Sequence, residues 1–147
     1  MHLTNYAINK DSPNFIFNRS EKDMSVGHKR SLTSVYELLK GQGVQVEELK
    51  QQINDIIIKT FLVGAPLLRH QYRSCQIENY SGNMCFQLLG FDIMIDRKAR
   101  PYLLEVNHTP SFVTDTPLDE TIKKNLIHDS LVLMNVNTKF KCDSISA

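Results

Sequence analysis

Long hydrophobic runs are missing from this chain, and their absence is the first constraint. The longest unbroken apolar runs span only a few residues, far short of the roughly 20 that a helix needs to cross a bilayer. Residues 1–20 have no basic stretch followed by an apolar one, so no secretory leader is expected there. Cysteine is scarce: Cys75, Cys85 and Cys142 are too few and too scattered for a disulfide framework or a CxxC zinc site. A reducing, cytosolic setting is the expectation, and the N-x-S/T triplets at Asn18, Asn79 and Asn107 then read as chance matches. A surplus of one charge is lacking too. The net charge of +1 favours neither nucleic acid nor an anionic membrane. No internal repeat or low-complexity tract occurs. What remains is 147 residues, 41% apolar and 22% charged, enough to build one ordinary domain with a sizeable core. It opens on the patterned segment MHLTNYAINK with no cap, as a first strand would, or as the second half of something larger would.

Residues 2–9 alternate loosely and predict a strand or extended segment. Residues 10–30 hold Pro, Gly, Asn and Ser without a period and read as a long, mobile loop. Leu32, Val35, Leu38 and Leu39 then recur at helical spacing, with Ser31 as N-cap and Gly41 or Gly43 as the stop. The clearest helix covers residues 44–64. Val46, Leu49, Ile53, Ile56, Ile57 and Phe61 form its apolar stripe, and Gly64 with Pro66 should close it. Residues 67–82 read either as continuation or as loop. The segments 85–95 and 101–107 predict a hairpin around the polar turn DRKAR. Thr116 as N-cap, Pro117 at N1 and Asp119 near N3 start a last helix, with Leu118, Ile122, Leu126, Ile127 and Leu131 as its buried face. Residues 1–134 are expected to form the folded part and residues 135–147 a disordered tail. The fold class is α+β, an antiparallel sheet with packed helices.

The hairpin carries the chemistry. If its turn is centred on Lys98–Ala99 with an even number of loop residues, Asp92 faces Glu105, and Ile95 faces Tyr102. Asp92, Met94, Leu103, Glu105 and Asn107 then share one face. Phe91, Ile93, Ile95, Tyr102, Leu104 and Val106 make the other, which is wholly apolar. Facing carboxylates, with Cβ atoms about 4.5–5.5 Å apart, destabilise a sheet unless a cation meets them. Two carboxylates and an amide oxygen suit hard Mg²⁺ rather than zinc, and Mg²⁺ in such a setting clamps nucleotide phosphates. The plainer reading is a solvated face whose acids pair with Arg97 or Arg100. An odd-length turn would place Asp92 and Glu105 on opposite faces.

The segments HLTNYAINK, GFDIMIDRKARPYLLEVNHTPSF and TDTPLDETIKKNLIHDSLVL resemble the C-terminal half of the tubulin–tyrosine ligase-like family, nearest its polyglutamylase branch. The likeness runs over roughly residues 2–134. It implies part of an ATP-grasp fold, with Asp92, Glu105 and Asn107 as catalytic ligands of Mg²⁺ (or Mn²⁺) and ATP as co-substrate. By the same resemblance Thr4, Asn5 and Leu104 lie beside the nucleotide. Tyr6 and Lys29 would hold the incoming free L-glutamate, and His108 would face the acceptor chain. Arg69 and Arg73 would meet phosphate, an acidic tail or a structural partner. His2, His28, His70 and His128 lack metal-ligand spacing and are given no role. Gln87 stands where most relatives would have glutamate.

The reaction so implied phosphorylates an acceptor carboxylate of a tubulin C-terminal tail, after which the amino group of glutamate attacks the acyl phosphate. The expected setting is the microtubule cytoskeleton of the cytoplasm, including cilia and basal bodies, with no nucleic acid or membrane partner. The phosphate-contacting N-terminal half of the family's site has no counterpart in this sequence, so inactivity of the chain alone is expected. The alternatives are a non-catalytic fragment that docks on tubulin or another partner, and a small α+β domain without such a site.

Overall fold

The computed structural model of the chain describes residues 6–17, 27–75 and 85–134. Its elements are α1 (Tyr6–Asn9), α2 (Leu32–Gly41), α3 (Val46–Cys75), β1 (Gly90–Ile95), β2 (Pro101–Asn107) and α4 (Pro117–Leu133). Helices and one antiparallel pair make the α+β composition expected of part of an ATP-grasp domain. Two compact units share the chain: Met1–Val35 with Phe112–Ala147, and Tyr36–Ser111.

Within Tyr36–Ser111, α3 packs along β2 and sets Phe61 against Phe91, ring centroids 6.1 Å apart. Val46 and Leu49 are buried, and Leu49 at 2% exposure is the most enclosed side chain among the described residues. Glu47 and Glu48 occupy the first turn, where the helix dipole favours anions. The helix does not close at Gly64. It runs on to Cys75 with Pro66 inside it, which settles residues 67–75 as helix. Proline removes one backbone bond, here to the Leu62 carbonyl. The exposed setting of Pro66 leaves that carbonyl to solvent, and the flanking leucines and Ala65 are strong helix formers. Upstream, α2 begins where expected, the Ser34 amide donating to Ser31 Oγ at 3.1 Å. Of the two candidate stops, Gly43 is the one used. Its φ is 85°, and Val44 N donates to the Leu39 carbonyl while Gly43 N donates to that of Lys40, a double closure that requires a left-handed residue.

The first strand starts later than its apolar run suggested. Residues 85–89 pair with no strand among the described residues, and β1 opens only at Gly90, opposite the last residue of β2. A Cβ at Gly90 would sit 3.3 Å from Pro110 Cβ, so the close crossing there suits glycine.

In the other unit, residues 6–9 form a helical turn rather than a strand, closed by Lys10 N donating to the Tyr6 carbonyl. The Asn, Asp and Ser that follow favour such local turns over extended pairing. Phe15 gathers the surroundings, meeting Tyr6, Phe17 and the stacked ring of His28. The Thr116 cap of α4 is present, its Oγ1 accepting from Asp119 N. Of the apolar face expected there, only Leu118 is buried; Ile122, Leu126, Ile127 and Leu131 are exposed. The mobile-loop expectation for 18–26 and the tail expectation for 135–147 fall outside the described residues.

Candidate functional site

The turn of the hairpin is odd, not even. Ile95 pairs with Pro101, Met94 with Tyr102 and Ile93 with Leu103, leaving Arg97, Lys98 and Ala99 as a three-residue loop between Asp96 and Arg100. Asp96 N donates to the Arg100 carbonyl, and the Asp96 carboxylate accepts from Lys98 N and Arg100 N at 2.8 and 2.9 Å. Those backbone donors, led by that of Arg100, hold the Asp96 carboxyl below its usual range despite the opposing effect of desolvation. Ala99 takes the left-handed conformation with φ 59°, as the third residue of such loops does.

An odd loop by itself would send Asp92 and Glu105 to opposite faces. A bulge between Asp92 and Ile93 prevents this. Leu104 is the extra residue, and beyond it Asp92 pairs with Glu105, Phe91 with Val106 and Gly90 with Asn107. The expected carboxylate pairing is thus present by a different route. The expected partners nearer the turn are not: Tyr102 faces Met94, and Leu103 faces Ile93 on the apolar side. Leu104 is unpaired and 44% exposed instead of lying in an apolar face.

Asn107 Nδ2 lies 3.2 Å from Asp92 Oδ2 and 3.2 Å from Glu105 Oε1, so one amide bridges both acids. Among the described residues no lysine or arginine lies within ion-pair distance of either carboxylate. Arg100, one of the two arginines the plainer reading paired with these acids, sits 3.9 Å from Asp96 instead. Desolvation, then the hydrogen bond and charge of Glu105, push the Asp92 carboxyl above its usual range; the Asn107 amide opposes them. A raised carboxyl beside a second one, with no cation at hand, has the donor chemistry of a hard divalent site. No three His, Cys, Asp or Glu side chains converge on a common point among the described residues, so protein donors there amount to two carboxylates and an amide. Such a set fits Mg²⁺, which keeps water or substrate oxygens in its remaining positions.

His108 follows directly and is exposed; its carbonyl accepts from Gln87 Nε2 at 2.7 Å. An ionised glutamate at position 87 has no hydrogen to donate, so the glutamine there has a geometric consequence. The sequence marked Gln87 as a departure without revealing this contact.

Tyr6 and Lys29 meet in the other unit. Lys29 Nζ stands 3.6 Å from the Tyr6 ring centroid and 2.8 Å from Asp119 Oδ2. Burial pushes the Asp119 carboxyl up, but Lys29 and Thr116 outweigh it and hold the group below its usual range. Asp119 was legible only as a helix-start residue; its pairing with Lys29, ninety positions away, had no local signal. Thr4 and Asn5 lie outside the described residues. His28 supports its loop, Nδ1 accepting from Ile16 N at 3.0 Å.

Comparison with known proteins adds the context. The family model for the tubulin-tyrosine ligase family matches residues 1–144. The chain is 58% identical over 99% of its length to a "Probable beta-tubulin polyglutamylase" of Tetrahymena thermophila. It is 46% identical over 97% of its length to "Tubulin polyglutamylase ttll6" of Danio rerio, and 44% identical over 97% to "Tubulin polyglutamylase TTLL6" of Homo sapiens. It spans 12%, 17% and 15% of the length of those relatives. Among the described residues no helix is long and apolar enough to cross a membrane. With its Asp–Glu–Asn hairpin and a match over nearly every residue, the chain belongs to the tubulin-tyrosine ligase family.

Proposed function

We propose that the chain is the Mg²⁺-binding portion of an ATP-dependent ligase that adds glutamate to glutamate side chains of tubulin C-terminal tails. One observation carries this reading: Asp92 and Glu105 face each other across the hairpin with a carboxamide between them and, among the described residues, no lysine or arginine within ion-pair distance. A divalent ion there supplies positive charge against phosphate oxygens, which the chemistry of acyl phosphate formation needs. The chain's own groups do the holding. Asp92 and Glu105 would give carboxylate oxygens to the ion, and Asn107, whose Nδ2 now faces both acids, would give its amide oxygen. Tyr6 and Lys29 offer a ring and an ammonium for the incoming glutamate, whose carboxylate competes with Asp119 for Lys29. Leu104 is assigned to the nucleotide and His108 to the acceptor chain, and the family resemblance alone assigns Thr4 and Asn5, outside the described residues, to the nucleotide as well. The names of the relatives, polyglutamylases acting on tubulin, support glutamate as the added group and tubulin as the acceptor. The microtubule cytoskeleton is the corresponding place of work.

Titration calorimetry of Mg²⁺–ATP into the chain tests the site. Heat of binding should be present and should disappear in Asp92→Ala and in Glu105→Gln; heat unchanged by both substitutions removes the metal reading. Transfer of labelled glutamate to tubulin, by the chain co-expressed with the N-terminal portion of a family member, tests the reaction. No transfer by a pair that still binds Mg²⁺–ATP makes the chain a docking module instead.

A further inference from the structure

The second half of α3 bears a cationic groove that the hairpin site does not use. Arg69, His70 and Arg73 line an open groove of about 550 Å³ whose apolar floor is Leu62, Ala65 and Pro66. Arg69 and Arg73 stand one helical turn apart on the same face, both exposed. Among the described residues neither has a carboxylate within ion-pair distance, so the structural salt bridge that would account for them is not found there. A guanidinium pair of this kind grips carboxylates or phosphates in forked fashion.

Its place along the helix narrows the choice. The side chains of Gln52, Asp55, Ile56 and Lys59 border a cavity with Arg100, Pro101 and Tyr102, at the turn end of the hairpin. Phe61 meets Phe91, near the opposite end. The helix therefore runs from the turn towards the end that holds Asp92, Glu105, Asn107 and His108, then continues past it. At about 1.5 Å per residue, Arg69 and Arg73 lie about 12 and 18 Å beyond Phe61 along the axis. A single phosphate group held by the carboxylate site does not reach that far, whereas an extended peptide, at about 3.3 Å per residue, covers it in roughly four to six residues.

We infer that Arg69, His70 and Arg73 form a docking surface for an acidic, glutamate-rich peptide that extends away from the hairpin site. The inference rests on the reading of that site given above, because the acceptor and product of polyglutamylation are polyanions. Charge complementarity selects the occupant, and the apolar floor accommodates the methylene stems of glutamate side chains.

Fluorescence anisotropy with a fluorescein-labelled hexaglutamate peptide and the full chain tests this. Saturable binding is expected, weakened by added salt and at least tenfold by the double substitution Arg69→Gln/Arg73→Gln. Asp92→Ala should leave it unchanged. Both arginines are exposed and glutamine is a good helix former, so the variant should keep its helical circular dichroism; Arg73→Gln alone, weakening binding about threefold, gives an independent second reading. Equal peptide binding by wild type and double variant, or none by either, overturns the inference. It is overturned as well if Mg²⁺–ATP displaces the peptide and the double variant loses its heat of nucleotide binding, for the groove is then a phosphate site. Loss of Mg²⁺–ATP heat dependence on Asp92 and Glu105, with peptide binding intact, would sink the ligase reading and leave this surface standing.

Discussion

Asp92 is the residue on which the proposed chemistry turns, and its protonation gives that proposal a test free of catalysis. Its carboxyl is pushed up by desolvation and by Glu105, so the folded chain holds this proton more tightly than the unfolded chain does. Linkage then fixes the sign: stability falls as pH rises from the ordinary aspartate value through the raised one. At neutral pH the folded hairpin carries two facing negative charges, and Mg²⁺ should relieve them. We expect Mg²⁺ to raise the melting temperature at neutral pH, and this gain to fade as pH drops through the raised value and protons displace the ion. Asp92→Asn should melt higher than wild type without Mg²⁺ at neutral pH and gain nothing from the ion. Thermal melts across pH, with and without Mg²⁺, measure all of this; an identical Mg²⁺ response in Asp92→Asn contradicts the assignment.

At the scale of elements, the hairpin shows how two departures from regularity cancel. The three-residue loop shifts the register by one position, and the bulge at Leu104 shifts it back, so Asp92 still meets Glu105. Local apolar patterning made the strands and the facing acids legible, but neither irregularity. A loop of DRKAR has no glycine to announce a left-handed residue, and Ala99 takes that conformation because the Asp96 carboxylate and the Ala99 N to Asp96 carbonyl bond hold the turn around it. Alanine there is strained relative to glycine by about 1 kcal/mol, partly offset by the greater freedom of glycine in the unfolded chain. Ala99→Gly should therefore stabilise the chain by roughly 0.5 kcal/mol, seen as a higher urea midpoint at unchanged slope. A lower midpoint would mean the loop does not use a left-handed third residue. Pro66 gives the opposite lesson in α3, because a breaker read from sequence was overridden by an exposed site flanked by helix formers.

Across the whole molecule, periodicity revealed which faces are apolar but not what covers them. The stripe of α3 from Val46 to Ile57 is buried or half-buried as its spacing implied, since β2 lies along that helix. The equally regular face of α4 is open, with Leu131 48% exposed, as is Val63 of α3 at 85%. Spacing says that a face is apolar and not which segment lies against it. The Lys29–Asp119 pair and the cationic groove were hidden for the same reason: both depend on placement in space, not on neighbours in sequence. This uneven burial predicts an uneven response to truncation. Leu49→Ala removes the most enclosed side chain and should cost about 2–5 kcal/mol, enough to abolish a cooperative urea transition in a chain of ordinary marginal stability. Leu131→Ala should change the midpoint by no more than about 0.5 kcal/mol, and should lower binding of an apolar dye such as anilinonaphthalene sulfonate, because it trims an exposed apolar face. Equal destabilisation by the two substitutions would show that the α4 face is packed after all, and that its periodicity had named a true core.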